Sequence, residues 1–113
     1  MFSNLFPSSN EREYFKLVAK RPAITNDEFY ITHYQNTDIT LDTCTRVRRV
    51  LCEQLRMCNT IPNDNVAVVY DDIDIVEVCF EIAEEFGITF NNSDFQEIDG
   101  TVDSLIRLTQ LLI

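Results

Sequence analysis

Between Leu41 and Cys58 the apolar side chains return at steps of three and four: Leu41, Cys44, Val47, Leu51, Leu55 and Cys58. Such spacing marks one face of an α-helix. It predicts a helix from about Thr40 to Met57, with Arg46, Arg48, Arg49 and Arg56 turned away from the stripe. A second periodic segment runs from Asp72 or Ile73 to Phe86. Wound at about 100° per residue, Asp74, Glu77, Glu81, Glu84 and Glu85 fill one arc of roughly 100°, and apolar residues cover roughly 220°. One neighbour cannot bury so wide a face. Either this helix is central, or part of the face, for instance Val76 and Phe80, meets a partner or ligand. Asp71 and Asp72 suit its start, where carboxylates complement the helix dipole, and Gly87 suits a left-handed end.

The remaining elements are shorter. Met1 to Ser9 reads as a loose arm, and Asn10 is placed to cap a helix reaching Lys20, with Arg21-Pro22 stopping it. Thr25 and Glu28 have the spacing of a capping box. The helix they start carries Phe29, Tyr30, His33 and Tyr34, an aromatic patch expected to dock on the rest. Asn59 to Asn65 is a loop rich in turn-forming residues. The apolar run Val66 to Tyr70 is too short to choose between a strand and a core-plugging loop. Asn91 to Asp94 is turn-like, with Phe95 and Ile98 suited to a single helical turn. Asp99-Gly100 breaks the chain, and Thr101 caps a last helix whose apolar side holds Val102, Leu105, Ile106, Leu108, Thr109 and Leu112.

Composition narrows the choice. The chain has 113 residues, 45% hydrophobic, with only two glycines. That fits a single packed domain, too small to build an enclosing substrate cleft with ease. The net charge of −10 disfavours nucleic acid as a partner. From Cys58 to Ile106 there are twelve carboxylates and no Lys or Arg. This negative field suits steering toward a basic partner; a solvated face that only maintains solubility is the simpler account.

The four cysteines, Cys44, Cys52, Cys58 and Cys79, show no metal-binding spacing. They are expected as reduced thiols in a cytoplasm, with Cys44, Cys52 and Cys79 filling small spaces in the core. Met1 to Asn10 lacks a basic start and a long apolar run, so no secretory leader is expected, and no stretch approaches the length of apolar residues suited to spanning a membrane. His33, the only histidine, reads as the edge of the aromatic cluster; pairing with a cysteine for catalysis is the weaker alternative.

Four segments, in order, resemble an acyl carrier protein, a four-helix bundle that carries acyl chains on a phosphopantetheine arm. Thr45 to Leu55, ending Glu53-Gln54-Leu55, is similar to the family's first helix. Asp71-Asp72-Ile73-Asp74 stands where the family has its Asp-Ser-Leu-Asp attachment motif. Val76-Glu77-Val78 and Glu81 to Ile88 resemble its acidic second helix and the following turn, and Asp99-Gly100-Thr101-Val102 its last helix start. The resemblance covers about residues 40–113, with residues 1–39 as an N-terminal helical extension. It implies an all-α fold: an acyl-carrier-like four-helix bundle plus that extension.

The departure lies at the attachment position. The family's arm is joined to a serine hydroxyl, and Asp72 has none, so no phosphopantetheine cofactor is expected there. Asp103-Ser104-Leu105 imitates the attachment core, but only nine residues follow Ser104, too few for the two helices the family places after its serine. The resemblance therefore implies a non-catalytic binding or regulatory module without cofactor, metal or catalytic residue. Its acidic second helix, through Asp74, Val76, Glu77, Phe80, Glu81 and Glu84, is expected to meet a basic surface on a partner protein, with a fatty-acid or polyketide enzyme as the implied class. The alternative is a functional acyl carrier with an atypical attachment site.

Overall fold

The computed structural model describes residues 8–70 and 75–113. The expectations for the arm at residues 1–7, for Asp71 and Asp72 at a helix start, and for Asp74 on the acidic arc lie outside the described residues. The described residues form seven helices and no strand. They are α1 (Ser9–Ala19), α2 (Asn26–His33), α3 (Leu41–Leu55), α4 (Val66–Val69), α5 (Ile75–Phe86), α6 (Asn92–Phe95) and α7 (Val102–Leu112).

Local capping chemistry sets most of the helix starts. Ser8, not Asn10, caps α1, its side chain accepting from the Glu11 N–H. The capping box of α2 forms in both directions: the Glu28 N–H donates to Thr25 Oγ1, and the Thr25 N–H to Glu28 Oε1. Thr40, Asn65, Asn91 and Thr101 do the same one-way or two-way service for α3, α4, α6 and α7. The run Val66 to Tyr70 resolves as the short helix α4, with Val66 and Val69 buried. Gly87 ends α5 with φ +66°, as its sequence position predicts.

Helix α3 is the centre, packing against α2, α5 and α7, while α1 rests on α4. Cys44, Val47, Leu51 and Leu55 from its stripe are buried, along with Val50. Phe29 of α2, Tyr34, Ile39, Met57, Val66, Val78, Cys79, Ile82, Val102, Leu105 and Ile106 complete the same core. Tyr14 of α1 also joins it, so both N-terminal helices share apolar burial with the bundle.

Two further expectations are corrected. Arg48 does not face away: it is buried, donating to Thr60 Oγ1 and carbonyl, Asn26 Oδ1 and the Ile24 carbonyl. At about 100° per residue it lies only roughly 40° from Cys44, inside the stripe, so its inward position was open to reading. The Phe29 ring covers its guanidinium at 4.6 Å. Second, Cys52 and Cys58 are not reduced thiols but a disulfide. Arg56, in the left-handed region at φ 61°, turns the chain back across the end of α3 and brings Cys58 onto Cys52. Only Cys44 and Cys79 are buried thiols of the core.

Candidate functional site

Helix α5 divides its carboxylates between two tasks. Glu85, near the C-terminal end, turns toward α3. Arg46 Nε donates to Glu85 Oε2 at 2.9 Å and Arg49 Nη2 to the same oxygen at 2.6 Å. Arg46 Nη2 also donates to the Glu85 carbonyl at 2.7 Å, which supplies a cation to carbonyls at a helix C-terminus. The same guanidinium lies 4.2 Å from the centre of the Phe86 ring. These hydrogen bonds from Arg46 and Arg49 hold the Glu85 carboxyl below its ordinary range. Glu85 is therefore part of the joint between α5 and α3.

Glu77, Glu81 and Glu84 are not used in this way. Glu77 and Glu84 are exposed and Glu81 is half-buried; among the described residues none of the three forms an ion pair with a basic side chain. Phe80 lies three residues from Glu77 and four from Glu84, on the same side of the helix. Its side chain is 59% exposed. Val76, one turn before it, is half-buried. Val78, Cys79 and Ile82 are buried, and Ile75, Ala83 and Phe86 pack partly against the core. Much of the wide apolar face of α5 is thus covered by its neighbours, while Phe80 remains in solvent.

The other candidates occupy different places. His33 is exposed at the end of α2, edge-on to Phe29 with ring centres 5.5 Å apart. Cys44 is buried, and burial pushes its thiol up to about 11, leaving it protonated and a weak nucleophile near neutral pH. Ser104 lies half-buried in the first turn of α7. Its N–H donates to Thr101 Oγ1, and its hydroxyl donates to the Thr101 carbonyl at 2.8 Å. Ser93 is exposed and donates to Asn91 Oδ1 within the cap of α6. Among the described residues, no His, Cys, Asp and Glu group of three or more is arranged to hold a metal ion, and no helix is long and apolar enough to cross a membrane.

Sequence reading did not anticipate the polar hub formed by Tyr14, Arg21, Asn59 and Asp64. Asp64 sits in a polar loop with no periodicity, and its side-chain partners, Tyr14 and Arg21, come from forty or more residues away. No local pattern marks such a residue as buried. No protein family, curated protein or solved structure matches this chain.

Proposed function

We propose that this chain is a non-catalytic, acyl-carrier-like binding module that docks a basic protein surface through the outward face of α5. The observation that carries this reading is Phe80, 59% exposed beside Glu77 and Glu84 on a helix whose other apolar residues are largely covered. An exposed aromatic ring set among carboxylates combines an apolar anchor with a field that steers a cationic partner. The internal use of Glu85 strengthens the argument. Arg46 and Arg49 pair with Glu85 and with Asp42 and Glu53 of their own helix, and among the described residues no basic side chain pairs with Glu77, Glu81 or Glu84, whose charges stay available to a partner.

The arrangement of helices is compatible with the carrier-like reading. Helices α3, α5 and α7 carry the segments that resemble the family's first helix, acidic second helix and last-helix start, with α1, α2, α4 and α6 beside them. A phosphopantetheine arm does not fit the residue present at the attachment position, since the Asp72 carboxyl offers no hydroxyl for a phosphodiester. Ser104, the one alternative with a similar local sequence, has its hydroxyl engaged with the Thr101 carbonyl inside a helical turn.

The test changes Glu77, Glu81 and Glu84 together to Gln and follows quantitative co-purification of bound proteins. Capture is expected to fall several-fold in that variant, and in wild type when salt rises from about 0.1 to about 0.5 M, where the screening length shrinks toward a few ångströms. Phe80→Ala is expected to shorten the lifetime of the complex. Capture that ignores all three changes would leave the face a solvating surface. Incubation with a phosphopantetheinyl transferase and coenzyme A as donor should add no mass. A gain abolished by Ser104→Ala would establish a working carrier instead.

A further inference from the structure

The turn after α3 is where the segment between α1 and α2 is held to the bundle. Asn59 makes three bonds there. Its carbonyl accepts from Arg21 Nη1 at 3.0 Å, its Oδ1 accepts from the Ile24 N–H at 2.9 Å, and its Nδ2 donates to the Pro22 carbonyl at 3.0 Å. The next residue, Thr60, is gripped by Arg48, which also holds Asn26 and Ile24. Asn59 and Thr60 follow directly on Cys58, so the Cys52–Cys58 bond decides where this docking platform stands relative to the end of α3.

Inside the loop closed by the disulfide, Arg56 adopts a left-handed conformation that costs an ordinary residue free energy. Two backbone bonds hold it, from the Arg56 N–H to the Cys52 carbonyl and from the Met57 N–H to the Leu51 carbonyl. Cys58 is exposed and Cys52 half-buried, which places the bond within reach of a dissolved thiol. Cys44 and Cys79 are buried, away from that solvent-side chemistry.

We infer that the Cys52–Cys58 disulfide is a redox-controlled clamp on the docking of the N-terminal segment, opened by a dithiol reductant. A thiolate of the reductant attacks the Cys58 sulfur, the S–S bond breaks, and Cys52 leaves as a thiolate that takes up a proton. The second thiol of the reductant then displaces Cys58 from the mixed disulfide. The protein gains two electrons and two protons, and the reductant becomes a cyclic disulfide. With the crosslink open, the left-handed turn at Arg56 relaxes, and the Asn59 platform loses its fixed distance from α3. This inference stands apart from the docking role of α5.

The full-length protein, oxidised and then treated with dithiothreitol, is followed by amide hydrogen exchange, intact mass and circular dichroism. The Ile24 amide, bonded to Asn59, and the amides of α2 are expected to exchange about tenfold or more faster after reduction, while α5 and α7 stay protected. Cys58→Ser should exchange like the reduced protein whether or not reductant is present. Asn59→Ala in the oxidised protein should speed the Ile24 amide in the same way. Equal exchange in both redox states would overturn the clamp. So would loss of helicity throughout on reduction, absence of the two-hydrogen mass gain, or an Asn59→Ala variant that leaves Ile24 protected.

Discussion

Arg21 closes a two-pronged ion pair on Asp64 across forty-three residues of chain, with Nη1 2.7 Å from Oδ2 and Nη2 2.6 Å from Oδ1. The carboxylate is 5% exposed and accepts further bonds from the Tyr14 hydroxyl at 2.9 Å and the Ile61 N–H at 3.1 Å. Four donors converge on one buried acid, which ties the segment after α1 to the loop before α4. Burial together with the Asp64 charge pushes the Tyr14 phenol far above its ordinary range, so it remains a donor at any ordinary pH.

Removing the acceptor charge should therefore be severe. Asp64→Ala leaves the Arg21 charge without its carboxylate, with the Asn59 carbonyl as its remaining acceptor, and the Tyr14 hydroxyl without the Asp64 acceptor in a nearly closed site; a loss of about 3 kcal/mol or more is expected. Arg21→Lys should cost less than Arg21→Ala but still be destabilising, because an ammonium cannot reproduce the fork. Urea unfolding of the three variants checks the order, and an Asp64→Ala variant as stable as wild type would show the hub to be dispensable.

Arg48 presents a different case, since the partners named for it are neutral. Burial pulls its pKa down, and the hydroxyl, amide and carbonyl oxygens around it compensate the charge. Arg48→Met retains the length of the stem but strands the carbonyls of Ile24 and Thr60 without this donor. A destabilisation of about 2–3 kcal/mol follows from buried acceptors left unsatisfied. Thermal or urea denaturation measures it, and faster exchange at Ile24 is the expected local signature.

Acid should loosen the joint between α5 and α3. Hydrogen bonds from Arg46 and Arg49 lower the Glu85 pKa below its ordinary 4.5. A carboxyl lowered on folding contributes stability above its unfolded pKa, and that contribution disappears as pH falls through the folded value. Wild type is thus expected to lose more melting temperature between about pH 5 and about pH 3 than Glu85→Gln does. Parallel acid limbs for the two proteins would show that Glu85 does not couple to folding.

The two glycines should respond unequally to alanine. At Gly100, φ is +91°, and an added Cβ would stand 2.6 Å from Asn65 Oδ1 and 3.0 Å from the Ala67 Cβ. Backbone strain and collision combine there, so about 2 kcal/mol or more is expected. Gly87, at φ +66°, has nothing within 4 Å of the same atom. Its alanine variant pays only the left-handed conformation, about 1 kcal/mol. Equal losses in denaturation would contradict the close approach of the α4 cap to the turn before α7.

Much of the helical framework was legible in the linear pattern. Thr25 with Glu28, Thr40, Thr101 and Gly87 act through bonds and torsions within four residues of themselves, so their effects survive into the folded chain unchanged. The stripe Cys44, Val47, Leu51 and Leu55 is buried because three- and four-residue spacing alone puts those side chains on one side. The same winding placed Glu77, Phe80, Glu81 and Glu84 on one side of α5. Long-range neighbours settled the rest. Whether Phe80 is covered, whether Glu85 points outward or binds Arg46, and whether Asp64 is solvated depend on segments remote in sequence. The Cys52–Cys58 bond needed the left-handed turn at Arg56, which no residue preference announces. Periodicity assigns each side chain a direction, while the burial and charge it meets in that direction come from whichever helix packs there.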